Sequence, residues 1–343
     1  MRKIQTLQRL ERWLKYRLYP HALILMYHRI IDVPSDPKLM TVKPEHFAEH
    51  LEIIRHYGSP MGLQQLVDTL RAGQVPERAV VITFDDGYAD NFTYAKPILE
   101  RYDMPATFFV TAGYAGTERL FWWDGLERVL LQPGEVSGSL RLCIEGHEFT
   151  WDLGTNRTYP EEDFESYRGW HVERPDTPSE RHQLYRALYD WFYHLPDAHR
   201  AHALDELFAW GDVADRASDS QRALTMGELV ALSAGEQVEI GAHTMTHPVL
   251  SHLSAAEQRD EILQGKERLE VMIKRQVKSF AIPHGESNHA TAAILREAGF
   301  RAVCSSIPDA VWPGADGMCL ARVVARDSDG MAFSGWLRRW LDG

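Results

Sequence analysis

The 343-residue chain has only three cysteines, Cys143, Cys304 and Cys319. They are scattered, odd in number and form no Cys-x-x-Cys spacing. That excludes a disulfide framework and a cysteine-based zinc site, and it favours a reducing compartment. No apolar run reaches the ~20 residues that a membrane-spanning helix needs. Near the N-terminus the stretch ALILMY is too short for the hydrophobic region of a secretory leader. These absences together lead to the expectation of a cytoplasmic protein. An excess of basic residues is missing too. With 37 Lys and Arg against 49 Asp and Glu the net charge is −12, so nucleic acid is not an expected partner, because phosphate binding needs a basic surface. Short repeats and low-complexity tracts are also absent.

What the chain does have is apolar content for a sizeable core, 44% of residues, arranged in alternating strand and helix patterns. Apolar strand-like runs occur at 22–30, in RAVVITFDDG, PATFFVTAG, QVEIGAHTMTH, KSFAIPHG and RAVCSS, and near CLARVVA. Helical patterns fall between them: 44–58, 62–73, 90 or 91 to about 101 with Pro97 bending it, 226–235, 254–275 and 289–298. The helix at 254–275 reads as a solvated barrel face. At least six strand–helix steps imply a parallel sheet covered by helices, closed or nearly closed into a barrel. From about 114 to 224 the alternation stops. That stretch is polar and holds six of the ten tryptophans, Trp122, Trp123, Trp151, Trp170, Trp191 and Trp210. It reads as an insertion with short helices and a hairpin around 140–152. It is expected to fold over the strand-end rim, with its aromatics either stacking on sugars or forming its own core.

Residues 3–18 form an amphipathic basic pattern. Leu7, Leu10, Trp13, Leu14 and Leu18 lie on one side, and Arg9, Arg12, Lys15 and Arg17 supply the charge. Such a helix can rest on an anionic membrane, so weak peripheral contact through residues 1–20 is one expectation. Packing against the barrel bottom or the Trp336/Trp340 segment is the other. The domain reading is an N-terminal helix at 1–20, a barrel over 21–327 interrupted by 114–224, and a C-terminal segment at 328–343.

The chemistry concentrates at strand ends. VVITF runs into Asp85-Asp86-Gly87, two like charges that burial makes costly unless a positive group is near. GAHTMTHP carries His243 and His247. Their spacing brings both imidazoles to one point, either on a helix face or at a strand end followed by a turn. Two imidazoles and one carboxylate make a three-ligand site with an open position, the pattern of catalytic zinc. The other aspartate is then free to act as a general base toward water.

TFDDGYADN, HTMTHP and FAIPHG, in that order, resemble the polysaccharide deacetylase family, also called the NodB-homology or carbohydrate esterase family 4 domain. The LMYHRI strand resembles that of a subset of it. The resemblance covers about 22–112 and 225–327. It implies a distorted (β/α) barrel, here with the aromatic-rich insertion, and removal of an acyl group, usually N-acetyl, from an amino sugar. By resemblance Asp85 is the base, Asp86, His243 and His247 hold one divalent metal, and His28 is the general acid. The metal is expected to be zinc, with cobalt or nickel as alternatives. Pro283, His284 and Arg322 are expected on the substrate side. Three departures stand out. Ala281 replaces the family's arginine, His284 its tyrosine after Pro283, and LARVVARD lacks the late Leu-x-His motif. Arg322 is the candidate to replace the missing arginine as the cation that orients Asp85. The expected partner is a carbohydrate. Formyl or O-acetyl substrates and a catalytically inactive glycan binder are the competing readings.

Overall fold

The computed structural model describes residues 15–144, 146–214, 217–235 and 237–342. Eight strands make its main sheet: β1 (Leu23–Tyr27), β2 (Ser59–Pro60), β3 (Ala79–Phe84), β4 (Ala106–Val110), β5 (Val238–Ala242), β6 (Ser279–Ala281), β7 (Ala302–Cys304) and β8 (Val323–Val324). Every residue of β1, β3 and β4 is buried. Strands covered on both faces belong to an all-parallel sheet, and each pairing here is parallel. The order is β7-β6-β5-β4-β3-β1-β8, with β2 beside the start of β3. Leu320 bridges to Cys304 on one edge strand, and three residues later Val323 pairs with Leu25. One short segment therefore touches both edges and nearly closes a distorted barrel.

The helices follow local rules. Pro44–Tyr57 carries proline in its first turn and buries Phe47, His50, Leu51 and Ile54, the spacing of a single face. Ser254 with Glu257, and Thr225 with Glu228, form reciprocal capping boxes at the starts of Ala255–Ile273 and Met226–Ser233. The expected helix from residue 90 differs. A π-turn spans Asn91–Ala95 and an α-helix Lys96–Tyr102 follows, so Pro97 lies in a first turn, where its missing N–H costs no hydrogen bond. Asp90 does not cap it. Its carboxylate accepts from Arg29 Nε and from the Ile30 amide, both at 3.0 Å, and the Arg29 guanidinium lies 4.4 Å from the centre of the Tyr88 ring. Among the described residues no helix is long and apolar enough to cross a membrane.

The chain divides into two compact units. One holds the barrel; the other comprises Val33–Leu39 and Thr117–Ala223. The second unit contains the helices Trp122–Leu130, Glu161–Tyr167, Glu180–His194 and Asp197–Gly211. It also has an antiparallel hairpin that pairs Ser139–Ile144 with His147–Asp152. Trp122, Trp123 and Trp170 are buried in this unit's own core, and Phe149 stacks on Trp191 with ring centres 5.4 Å apart. Most of the amphipathic pattern at 3–18 lies outside the described residues. Within them Tyr16 packs edge-on against Trp312 and Trp340 and donates to Asp309, while Leu18 and Tyr19 are exposed. The helix Gly330–Asp342 packs on Pro44–Tyr57.

The Arg29–Asp90 pair is buried on both sides. Removing one partner leaves an uncompensated charge in low dielectric, a loss of about 3–5 kcal/mol. Asp90→Ala is expected to lower the urea midpoint accordingly, and Arg29→Met combined with Asp90→Leu to recover much of it. Equal midpoints for Asp90→Ala and the parent would show the pair to be dispensable.

Candidate metal centre

The parallel register sets the site. Tyr27 is level with Phe84, and Ala242 with Val110 and Phe280. The residues that follow, His28, Asp85-Asp86 and His243, therefore leave the sheet at one rim, the carboxyl end of the strands, where such folds place their chemistry. The Asp85 amide donates to Tyr27 O and the His243 amide to Val110 O, continuing the ladders into the loops.

Beyond the rim the backbone is strained. Among the described residues nine non-glycine positions have positive φ, and four of them belong to the site loops: Asp86 (+73°), Thr244 (+64°), His247 (+59°) and His284 (+58°). Each costs on the order of 1–2 kcal/mol and persists only where surroundings impose it. Gly87 (φ +89°) continues the turn; a Cβ there would come within 2.9 Å of Val110 Cγ1, so the position requires glycine. The His243–His247 spacing is thus met by a tight non-helical turn.

That turn brings three donors together. Asp86 Oδ1 lies 3.5 Å from His243 Nε2 and 3.3 Å from His247 Nε2. Among the described residues Asp86, His243 and His247 are the one buried Asp/His group with ligand atoms all within 4.8 Å of one another. Tetrahedral ligands about 2.0–2.2 Å from a zinc ion are themselves about 3.3–3.5 Å apart, so the spacing fits a shared ion. The tautomer fits as well. His243 Nδ1 donates to Ala281 O at 2.8 Å, since a carbonyl can only accept, which leaves Nε2 with its lone pair toward Asp86. Burial pushes the Asp86 carboxyl up; where the imidazoles instead carry Nε2–H groups, the hydrogen bonds they donate and the charges of His247 and His28 hold it well below the usual carboxylate range.

Asp85 is compensated separately. Arg322 grips it with two parallel bonds, Nη1 to Oδ1 at 2.6 Å and Nη2 to Oδ2 at 2.7 Å. The remaining guanidinium contacts are Nε to Ser305 O and Nη1 to Thr83 Oγ1. The Arg322 side chain has no exposed area, and its donors go to Asp85, Thr83 and the Ser305 carbonyl. Burial again pushes the Asp85 carboxyl up, and the Arg322 charge, then His243, pull it below the ordinary value. A protonated His28 acts on both carboxylates, and the His28 carbonyl accepts from Asn91 Nδ2 at 2.8 Å. His284 follows Pro283 in the turn after β6, its ring 4.5 Å from that of His247. Glu261, missed in the sequence because its helix reads as a solvated face, holds the His243–His247 turn through two backbone amides.

The sequence model of the polysaccharide deacetylase family matches residues 72–154 and 207–303, more than half of the chain. The chain belongs to the polysaccharide deacetylase family. Among curated relatives it is similar to the poly-beta-1,6-N-acetyl-D-glucosamine N-deacetylase of Escherichia coli (strain K12), 31% identical over 103 residues, or 29% of this chain and 15% of that protein. The enzyme of the same name from Staphylococcus aureus (strain MSSA476) is 29% identical over 140 residues, 37% of this chain and 48% of that one. The chain thus aligns with less than half the length of either relative. Its fold is similar to that of IcaB from Ammonifex degensii, with a TM-score of 0.57 and 17% identity over 93% of this chain and 97% of that one.

Arg322→Met in this family member should reverse the pH behaviour of Asp85. In the parent the folded pKa is depressed, so the group adds stability that is complete above about pH 3.9 and is lost as pH falls through the folded value. Without the guanidinium, burial is expected to outweigh the pull of His243 and His28 and to set the pKa above the unfolded value, so that stability instead declines as pH rises through it. Thermal unfolding from pH 4 to 8 checks this. The deficit of Arg322→Met should widen with pH toward about 3–5 kcal/mol; a deficit independent of pH counts against the assignment.

Proposed function

We propose that this protein is a metal-dependent hydrolase that removes an N-acetyl group from an amino sugar within a glycan. The observation that carries the reading is the buried Asp86–His243–His247 group set beside a carboxylate, Asp85, that Arg322 keeps ionised. The activities for which these relatives are named support the acyl group and the sugar class.

Asp86, His243 and His247 would hold the ion. When bound there, a divalent ion acidifies water and polarises an acyl oxygen. The chain's own groups do the proton work. Asp85, with both oxygens anchored by Arg322, still has lone pairs to accept a proton from the attacking water. Arg322 fixes where that carboxylate points. His28, at the end of β1 and half-buried, gives a proton to the departing nitrogen, because an amine cannot leave as an anion. Water's oxygen ends on the acyl carbon, and acetate and a free amino sugar are released. His284 and Pro283 shape the wall beside His247. Two imidazoles and one carboxylate are a donor set that zinc takes in hydrolases, and zinc is the ion proposed here.

Acetate release from soluble N-acetylglucosamine oligomers, with and without chelator, tests the activity. Release should stop with chelator and return with added zinc. Asp85→Asn is expected to keep zinc and lose at least ~100-fold in turnover, the low end for general-base catalysis; Asp86→Ala should lose zinc as well. Near-normal turnover in Asp85→Asn, or equal zinc binding in both variants, contradicts the division of roles.

A further inference from the structure

We propose that Glu261, on the helix Ala255–Ile273, is a positioning residue for the metal-binding turn; the inference rests on the reading of Asp86, His243 and His247 as ligands. The turn between the two histidines is improbable on its own terms. Thr244 and His247 both sit at positive φ, and Thr244 is β-branched, the type least suited to that region. Something must hold it, and the holding groups can be named from both sides.

On one side the carboxylate of Glu261 takes three donors. Oε2 accepts the Met245 amide at 2.9 Å and the Thr246 amide at 2.8 Å, and Oε1 accepts the Thr246 hydroxyl at 2.7 Å. Two successive N–H groups converging on one anion make a small backbone nest, and charge-assisted bonds of this kind are the strong ones. One turn along the same helix, Gly265 lies under the turn: a Cβ there would stand 2.7 Å from the Thr244 carbonyl carbon. On the other side the loop after β4 takes the carbonyls, Ala112 N to Thr244 O and Gly113 N to Met245 O. Arg268, again from that helix, donates to Ala112 O at 2.9 Å. Inside the turn the Thr244 hydroxyl accepts the His247 amide at 3.0 Å. The amide face of the turn therefore rests on Glu261, the carbonyl face on β4, and the helix braces both. Among the described residues Glu261 belongs to no group of candidate ligand atoms; it acts by fixing the angle between His243 and His247.

Groups that orient ligands from outside typically account for about 10–100-fold in metal affinity. The test measures zinc affinity by chelator competition, together with the visible spectrum of the cobalt-substituted protein. Glu261→Ala is expected to bind zinc about 10–100-fold more weakly, with an altered cobalt spectrum. In Glu261→Gln the amide oxygen can still take the two N–H groups while its NH2 meets the Thr246 hydroxyl, so most of the affinity should return. A purely structural tie would lower the melting temperature of the chelator-treated protein without changing zinc affinity. Zinc affinity in Glu261→Ala equal to the parent, or no recovery in Glu261→Gln, overturns the proposal. If Glu261→Ala does not fold, Glu261→Asp, one methylene shorter, is held to the same comparison. A parent protein that binds no zinc is a different result: it removes the ligand reading itself.

Discussion

Two carboxylates buried side by side at the end of a strand cannot both remain ionised unless each has its own positive partner. Asp85 and Asp86 are each only 3% exposed, and desolvation is the largest influence on both, acting against charge. The solution divides the labour. Arg322 neutralises Asp85 in a forked pair, and His243 and His247 bring Nε2 to 3.5 and 3.3 Å from Asp86 Oδ1. The two neighbours thus have different partners: one aspartate is anchored by a guanidinium, and the other turns away to meet the imidazoles. The left-handed backbone at Asp86 is what points adjacent side chains in different directions.

That local twist is sustained by the barrel. The parallel register puts the ends of β1 and β3 level with Phe108 and those of β4 and β5 two residues further along the same rim, so each loop starts from a fixed point. Ladder bonds continue into the loops at Asp85 and His243, and Thr111 N reaches Asp86 O across the rim. Strain at Asp86, Thr244, His247 and His284 is thus borne by a framework whose buried strands have little freedom to relax.

Much of this was legible in residue order. Continuous apolar runs announced fully buried parallel strands, and the Asp-Asp-Gly and His-x-x-x-His groups ended two of them. The helical patterns at 254–275 and 289–298 were visible as well. The illegible parts are long-range pairings. Nothing near Asp90 says that its carboxylate belongs to Arg29, 61 residues earlier, so it looked like a helix cap. Nothing in the charged pattern of Ala255–Ile273 separates Glu261 from its solvated neighbours, because a helix face shows its period and not its partner. The π-turn before Pro97 likewise follows from a conflict between proline and the preceding turn, which periodicity cannot resolve.

Arg322 shows how such a pairing can replace a local motif. Where the family pattern carries arginine, β6 has Ala281, whose carbonyl instead fixes the tautomer of His243. The cation comes from the segment just before β8. Val323 is level with Leu25, and through it with Ile82, so Arg322 starts well below Asp85 and needs its full length to arrive there. Its side chain runs through the barrel interior, where Thr83 and the Ser305 carbonyl take its other donors. Electrostatics constrains where the guanidinium ends, not which strand anchors it. Any strand around the ring that can extend a long, fully paired side chain to the same point satisfies the requirement. The segment that reaches both β7 and β1 is well suited to it, because closing the barrel and pairing Asp85 then depend on the same few residues.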